Sequence, residues 1–154
     1  MGKTPDFDVL AAHRFFSAHC FNQAWEFIDK ADRNLDDTDR MLDAAHASAW
    51  HWRQRPDCTN QNLSIGYWQL SRVYALAGEA RRSARYAQLC LEVSGEEPPF
   101  FMGYAYEALA RAAALAGERG VAGNYLMQAR AFLAKVEDRE EQEQLEKDLD
   151  SLIS

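Results

Sequence analysis

Apolar and polar positions along this chain recur with the spacing of α-helices. Apolar residues return at helical intervals, and the period-two alternation that indicates half-buried strands is absent. Residues that interrupt helices are sparse, with 8 glycines and 4 prolines in 154 residues. The pattern therefore predicts an all-α protein of about seven helices and no strands.

Capping residues give approximate limits for these helices. Thr4-Pro5 combines a good N-cap with a proline at the first helical position, and Asp138 has a glutamate three residues on, as in a capping box. Gly78 and Gly117 follow apolar runs, so we expect each to close a helix in the left-handed conformation. The expected helices cover about 4–31, 36–54, 62–77, 80–93, 99–116 and 120–136, and a last one starts at 138.

The phrase Leu-Ala-Gly-Glu occurs twice, with its glycines 39 residues apart at Gly78 and Gly117. Further identities share this spacing: Tyr67, Leu70, Arg72, Ala75 and Tyr86 match Tyr106, Leu109, Arg111, Ala114 and Tyr125. Such a period is typical of stacked helical pairs, because a single pair cannot bury its apolar face alone.

Within each unit the order of large and small residues resembles the tetratricopeptide repeat. The first unit supplies Tyr67, Leu70, Ser71, Tyr74, Gly78, Ser83, Ala87 and Cys90. The second supplies Tyr106, Leu109, Ala110, Ala113, Gly117, Ala122, Leu126 and Ala129. The resemblance is best over 62–136 and departs from the usual 34-residue period. It implies a right-handed stack of antiparallel helix pairs, in which small residues let neighbouring helices approach closely.

We expect one helical-repeat domain over residues 1–154. An atypical helix pair would occupy 1–54, the two repeats 62–93 and 99–136, and an acidic capping helix 138–152. From Glu137 onward eight carboxylates stand against two basic residues, which accounts for most of the net charge of −7. An acidic chain of this kind is not expected to bind nucleic acid, where basic residues must replace counterions.

Cysteine usage and hydropathy suggest where the protein resides. Its 3 cysteines form no close pair, as in a reducing compartment. No apolar run approaches ~20 residues, and the N-terminus lacks the apolar core of a signal peptide. We therefore expect a cytoplasmic protein that does not bind a membrane and carries no cofactor.

The resemblance also implies a binding face, because the first helix of each tetratricopeptide pair lines the concave surface. The matching residues are Trp68, Arg72, Tyr104, Glu107 and Arg111. An aromatic residue beside an arginine is typical of an interaction anchor, and the two arginines could bind a carboxylate. The sequence thus favours a non-enzymatic scaffold that binds a protein or peptide segment, for which an acidic partner is one expectation. The alternative is that Glu107 and Arg111, four residues apart, form a salt bridge within their helix and Trp68 packs inside.

A second hypothesis places a small molecule or a metal ion between the first two helices, in a pocket of His46, Trp50 and His13. The spacing of His46 and His51 suits shared ligation poorly, and no zinc-binding HExxH motif is present, so no metal site is expected. The turn after Asp32 has acidic residues at EF-hand spacing but lacks the central glycine, which predicts an ordinary polar turn that caps the second helix.

Catalysis is not predicted, because no motif of an enzyme class appears. Homodimerisation is a further expectation, since so short a stack would leave apolar surface uncovered.

Overall fold

The computed structural model describes residues 2–152, and Met1, Ile153 and Ser154 lie outside the described residues. The described chain is all-helical, with seven α-helices and no strand, as the sequence predicts. The helices are α1 (Val9–Ile28), α2 (Leu35–Arg53), α3 (Asn60–Leu76), α4 (Ala80–Ser94), α5 (Pro99–Leu115), α6 (Arg119–Leu133) and α7 (Arg139–Asp150).

The chain divides into two compact units, one up to Thr59 and one from Asn60 onward. In the first unit α1 packs on α2. Its core contains Ala24, Ile28, Met41 and Ala45, all buried. The hydroxyl of Ser48 on α2 donates to the backbone carbonyl of Ser17 on α1 at 2.7 Å, which ties the two helices together without exposing a polar group.

In the second unit consecutive helices pack pairwise, α3 with α4 and α5 with α6, while α5 also contacts both α3 and α4. Small buried residues lie where α3 and α4 meet. Ser71 and Ser83 are buried and each donates its hydroxyl to the other's backbone carbonyl, at 2.9 and 2.8 Å. Ala87 and Cys90 are fully buried beside them on α4. These are positions at which the sequence predicts small residues between helices.

Gly78 and Gly117 end α3 and α5 as the sequence predicts, with φ of 78° and 79°. The residue after each glycine donates its backbone N–H across the helix end, Glu79 to Tyr74 and Glu118 to Ala113, both at 2.9 Å. This is the bond pattern of a Schellman cap, which needs a left-handed residue that glycine supplies without strain.

The prediction for the start of the first helix is wrong. Helix α1 begins at Val9 rather than at Thr4-Pro5, and Asp8 is its N-cap. The Asp8 carboxylate accepts the backbone N–H of Ala11 at 3.0 Å, which satisfies one of the free N–H groups of the first turn. Thr4 is also a residue type that caps helices, but residues 2–8 are not helical.

Helix α7 packs on both α5 and α6. Asp138 caps its N-terminus by accepting the backbone N–H of Glu141 at 2.9 Å, at the start that the sequence predicts. Leu145 and Leu149 are fully buried against Tyr104, Ala129, Leu133 and Val136. Helix α6 ends at Leu133 rather than near Val136, because the chain turns there to bring Val136 into this cluster.

Candidate functional site

Glu107 occupies the centre of what we call the α3–α5 face, defined as Trp68, Arg72, Tyr104, Glu107 and Arg111. The Glu107 side chain, in the middle of α5, is fully buried. Trp68 on α3 donates its indole N–H to Oε2 at 2.8 Å. Arg111, one turn further along α5, donates Nε to Oε1 at 3.0 Å and Nη2 to the same oxygen. Three donors thus satisfy both oxygens, which offsets the cost of removing a carboxylate from water.

Arg111 is mostly buried but keeps contact with solvent, since 17% of its side chain is exposed. The third guanidinium nitrogen, Nη1, donates no hydrogen bond within residues 2–152. No buried side-chain nitrogen or oxygen of the described residues lacks a partner, so Nη1 must be reached by water. One edge of the guanidinium is therefore available to an acceptor from outside.

Tyr104 joins this network from the side of α7. Its ring meets the Trp68 ring edge to face, with centroids 5.6 Å apart. Its hydroxyl donates to Oδ2 of Asp148 on α7 at 2.6 Å. Burial of the ring, and next the hydrogen bond to the negative Asp148, hold the pKa of Tyr104 well above its usual value. The phenol therefore acts as a hydrogen-bond donor and keeps its proton.

Arg72 lies on α3, one turn after Trp68, at the repeat position that Arg111 occupies on α5. Its side chain is half-buried, and it too is engaged within the protein. The structure thus brings Trp68, Tyr104, Glu107 and Arg111 into one connected set of contacts. The ion pair of Glu107 and Arg111 is the one that their spacing suggested, and it holds Trp68 as well.

In the first unit His13 on α1 meets His51 on α2. Their Nδ1 atoms are 2.8 Å apart, a hydrogen bond in which either ring can be the donor. The Trp50 ring lies 5.4 Å from His13, and the Phe16 ring stacks on His51 at 5.4 Å. Burial, and next the proximity of His13, lower the pKa of His51.

The sequence hypothesis paired His13 with His46 and Trp50. The structure places Trp50 against His13, but the histidine bonded to His13 is His51. His46 is half-buried on α2 and has a partner within the protein. An open hollow of about 340 Å³ on this unit is lined by other residues: Cys20, Gln23, Phe27, Arg40, Asp43, Ala44 and Ala47. Comparing spacings within α2 alone could not reveal the pair, because it depends on the register of α2 against α1.

The acidic turn before α2 caps that helix, as the sequence predicts. Asn34 accepts the backbone N–H of Asp37 at 2.8 Å, and Asp37 accepts that of Asn34 at 3.2 Å. The same Asp37 oxygen accepts a hydrogen bond from Lys30 at 2.6 Å, which holds the pKa of this carboxyl below its usual range. Among residues 2–152 there is no group of three or more His, Cys, Asp or Glu side chains arranged to hold a metal ion.

No helix in the described part of the chain is both long enough and apolar enough to cross a bilayer. Comparison of the chain with protein-family models, with curated proteins and with solved structures gave no match.

Proposed function

We propose that the protein is a non-enzymatic binding module of the cytoplasm that takes a protein or peptide segment on the α3–α5 face. The observation that carries the proposal is the fixed geometry of two anchor side chains. Buried Glu107 bonds both the indole of Trp68 and the guanidinium of Arg111. Anchors that are held in place lose little conformational freedom on binding, so more of their contact energy contributes to affinity.

An acidic segment is the partner that this face favours. Arg111 offers its water-accessible Nη1, and Arg72 is placed at the matching position of the preceding repeat. Guanidinium groups form their strongest hydrogen bonds with carboxylates. Such a partner would add its carboxylate to the outer edge of Arg111 while Glu107 keeps the inner edge occupied.

The protein's own helix α7 supports this choice of partner, because it is an acidic helix packed on the same α5. Its leucines Leu145 and Leu149 are buried against the cluster that contains Tyr104. Its Asp148 accepts the Tyr104 hydroxyl, and its Asp150 pairs with Arg130 on α6 at 2.8 Å. Helices α5 and α6 thus already bind one acidic amphipathic segment of this chain.

The test uses a displayed library of random 12-residue peptides selected on the wild-type protein. We expect the selected peptides to be rich in Asp and Glu, and their affinity, measured by fluorescence anisotropy, to fall as salt is raised. Arg72→Gln should weaken binding, since it removes one of the two guanidinium groups. Arg85→Gln, the same change at an exposed position of α4, is the matched control and should leave binding unaltered.

Two results would overturn the proposal. One is a selection that enriches no peptide sequence over many rounds. The other is binding that Arg72→Gln and Arg85→Gln weaken equally, because a general attraction of acidic peptides to basic surface would then explain it without the α3–α5 face.

A further inference from the structure

The histidine pair of the first unit has a geometry that peptide binding on the α3–α5 face does not use. The two Nδ1 atoms of His13 and His51 are 2.8 Å apart, on helices that pack directly against each other. Neutral imidazole nitrogens are the commonest metal ligands in proteins, and side chains on facing helices often build such sites.

The separation of these nitrogens selects a class of ion. Histidine nitrogens bind transition metals at about 2.0–2.1 Å. Two nitrogens 2.8 Å apart, each at that distance from one ion, subtend an angle of about 86° at it. This is close to the right angle between neighbouring ligands in the tetragonal geometry of Cu²⁺ and Ni²⁺. Tetrahedral zinc needs its nitrogens about 3.3 Å apart and fits less well.

We propose that His13 and His51 form a two-histidine site for Cu²⁺, which also takes Ni²⁺ more weakly, with water in the remaining positions. Among divalent ions of the first transition series copper binds nitrogen ligands most tightly. In the metal-free pair one ring donates its Nδ1 proton to the other. When the ion binds, that proton moves through solvent to Nε2 of the same ring and both rings turn, so that the two Nδ1 lone pairs face the metal and the rings release no net proton.

The surroundings of the pair suit such a site. Phe16 stacks on His51 with 29° between the ring planes, and Trp50 packs against His13, so both imidazoles are held next to each other before the ion arrives. Phe16 is 41% exposed and Trp50 51% exposed, so water can reach the ion. Solvent ligands are needed here, because no third protein ligand completes a metal-binding group in the part of the chain that the structure describes.

The experiment measures ion binding to the full-length protein. Isothermal titration with NiCl₂ gives the affinity, since Ni²⁺ does not oxidise the free thiols of the chain. We expect one Ni²⁺ per chain, bound about tenfold or more weakly by His13→Gln and by His51→Gln. His19→Gln is the matched control, because His19 is an exposed histidine of α1 outside the pair. It should bind Ni²⁺ as the wild type does.

A copper spectrum provides a second measurement that does not depend on how well a variant folds. The electron paramagnetic resonance spectrum of the wild type with one equivalent of CuCl₂ should show coupling to two ring nitrogens. Circular dichroism of each metal-free variant shows whether it is folded. If His51→Gln is unfolded, the Ni²⁺ affinity of His13→Gln alone tests the proposal. The proposal is wrong if His13→Gln and wild type bind Ni²⁺ equally, or if bound Cu²⁺ shows no imidazole coupling.

Discussion

Replacement of Glu107 by alanine removes both oxygens that receive hydrogen bonds from Trp68 and Arg111. Arg111, only 17% exposed, then lacks its counter-charge, and the indole N–H of Trp68 lacks its acceptor. Removing one partner of a buried ion pair destabilises a protein by roughly 3–5 kcal/mol. We expect Glu107→Ala to lower the free energy of unfolding by that amount, a large share of the roughly 5–15 kcal/mol of an ordinary domain.

The protein contains a natural control with the same i,i+4 spacing. Arg139 and Glu143 on α7 pair at 2.8 Å, but their side chains are 88% and 62% exposed. Exposed pairs contribute little, so Glu143→Ala should change the free energy of unfolding by about 0.5 kcal/mol or less. Glu107→Gln keeps the side-chain volume and an acceptor for Trp68 while it removes the charge, so its effect should lie between the two.

Urea denaturation followed by circular dichroism measures these differences. If Glu107→Ala destabilises the protein no more than Glu143→Ala does, the buried pair of Glu107 and Arg111 does not stabilise the fold as we expect. A double variant separates lost charge from lost volume. Glu107→Leu combined with Arg111→Met replaces the pair by apolar side chains of similar size, and it should recover much of the stability that Glu107→Ala loses.

Three further changes probe other parts of the structure. Gly117→Val forces a β-branched residue to positive φ and should cost about 1–2 kcal/mol, so an unchanged urea midpoint would contradict the cap. Gly103→Ala should destabilise despite its higher helix propensity, because the new Cβ would lie 2.5 Å from Cδ2 of buried Leu145; a raised midpoint would show that α7 can shift. The pKa of Asp37 is lowered, so its hydrogen bond from Lys30 stabilises the fold above the ordinary carboxyl pKa of 3.8 and is lost as the pH falls below that value. The melting temperature of Asp37→Asn should therefore fall less than that of the wild type when the pH is lowered through this range.

Local features of the fold were predictable because they depend on neighbouring residues. Gly78 and Gly117 end their helices because an apolar run followed by glycine is enough to specify a left-handed cap. The start of α7 at Asp138 follows in the same way from its own first turn. The start of α1 was predicted wrongly at Thr4, because Asp8 is a good cap as well and the chain becomes helical only after it.

The contacts of the two candidate sites depend on how helices are aligned with one another, which local sequence does not determine. The spacing of Glu107 and Arg111 predicted their ion pair, but the bond from Trp68 requires the register of α3 against α5. The contact of α7 with Tyr104 could not be predicted either, because Tyr104 and Asp148, which are hydrogen-bonded, are 44 positions apart in the sequence.

The α3–α5 face arises where the two repeats differ. Trp68 and Glu107 occupy the same repeat position, 39 residues apart, and bond to each other. Two tryptophans there would lack an acceptor, and two glutamates would repel, so an exact repeat could not make this contact. The arginines one turn later are retained in both repeats. Because α7 packs on α5 and α6, the face spans only two first helices within this unit. Under the proposed function we therefore expect the partner to be a single short acidic segment rather than a long extended chain.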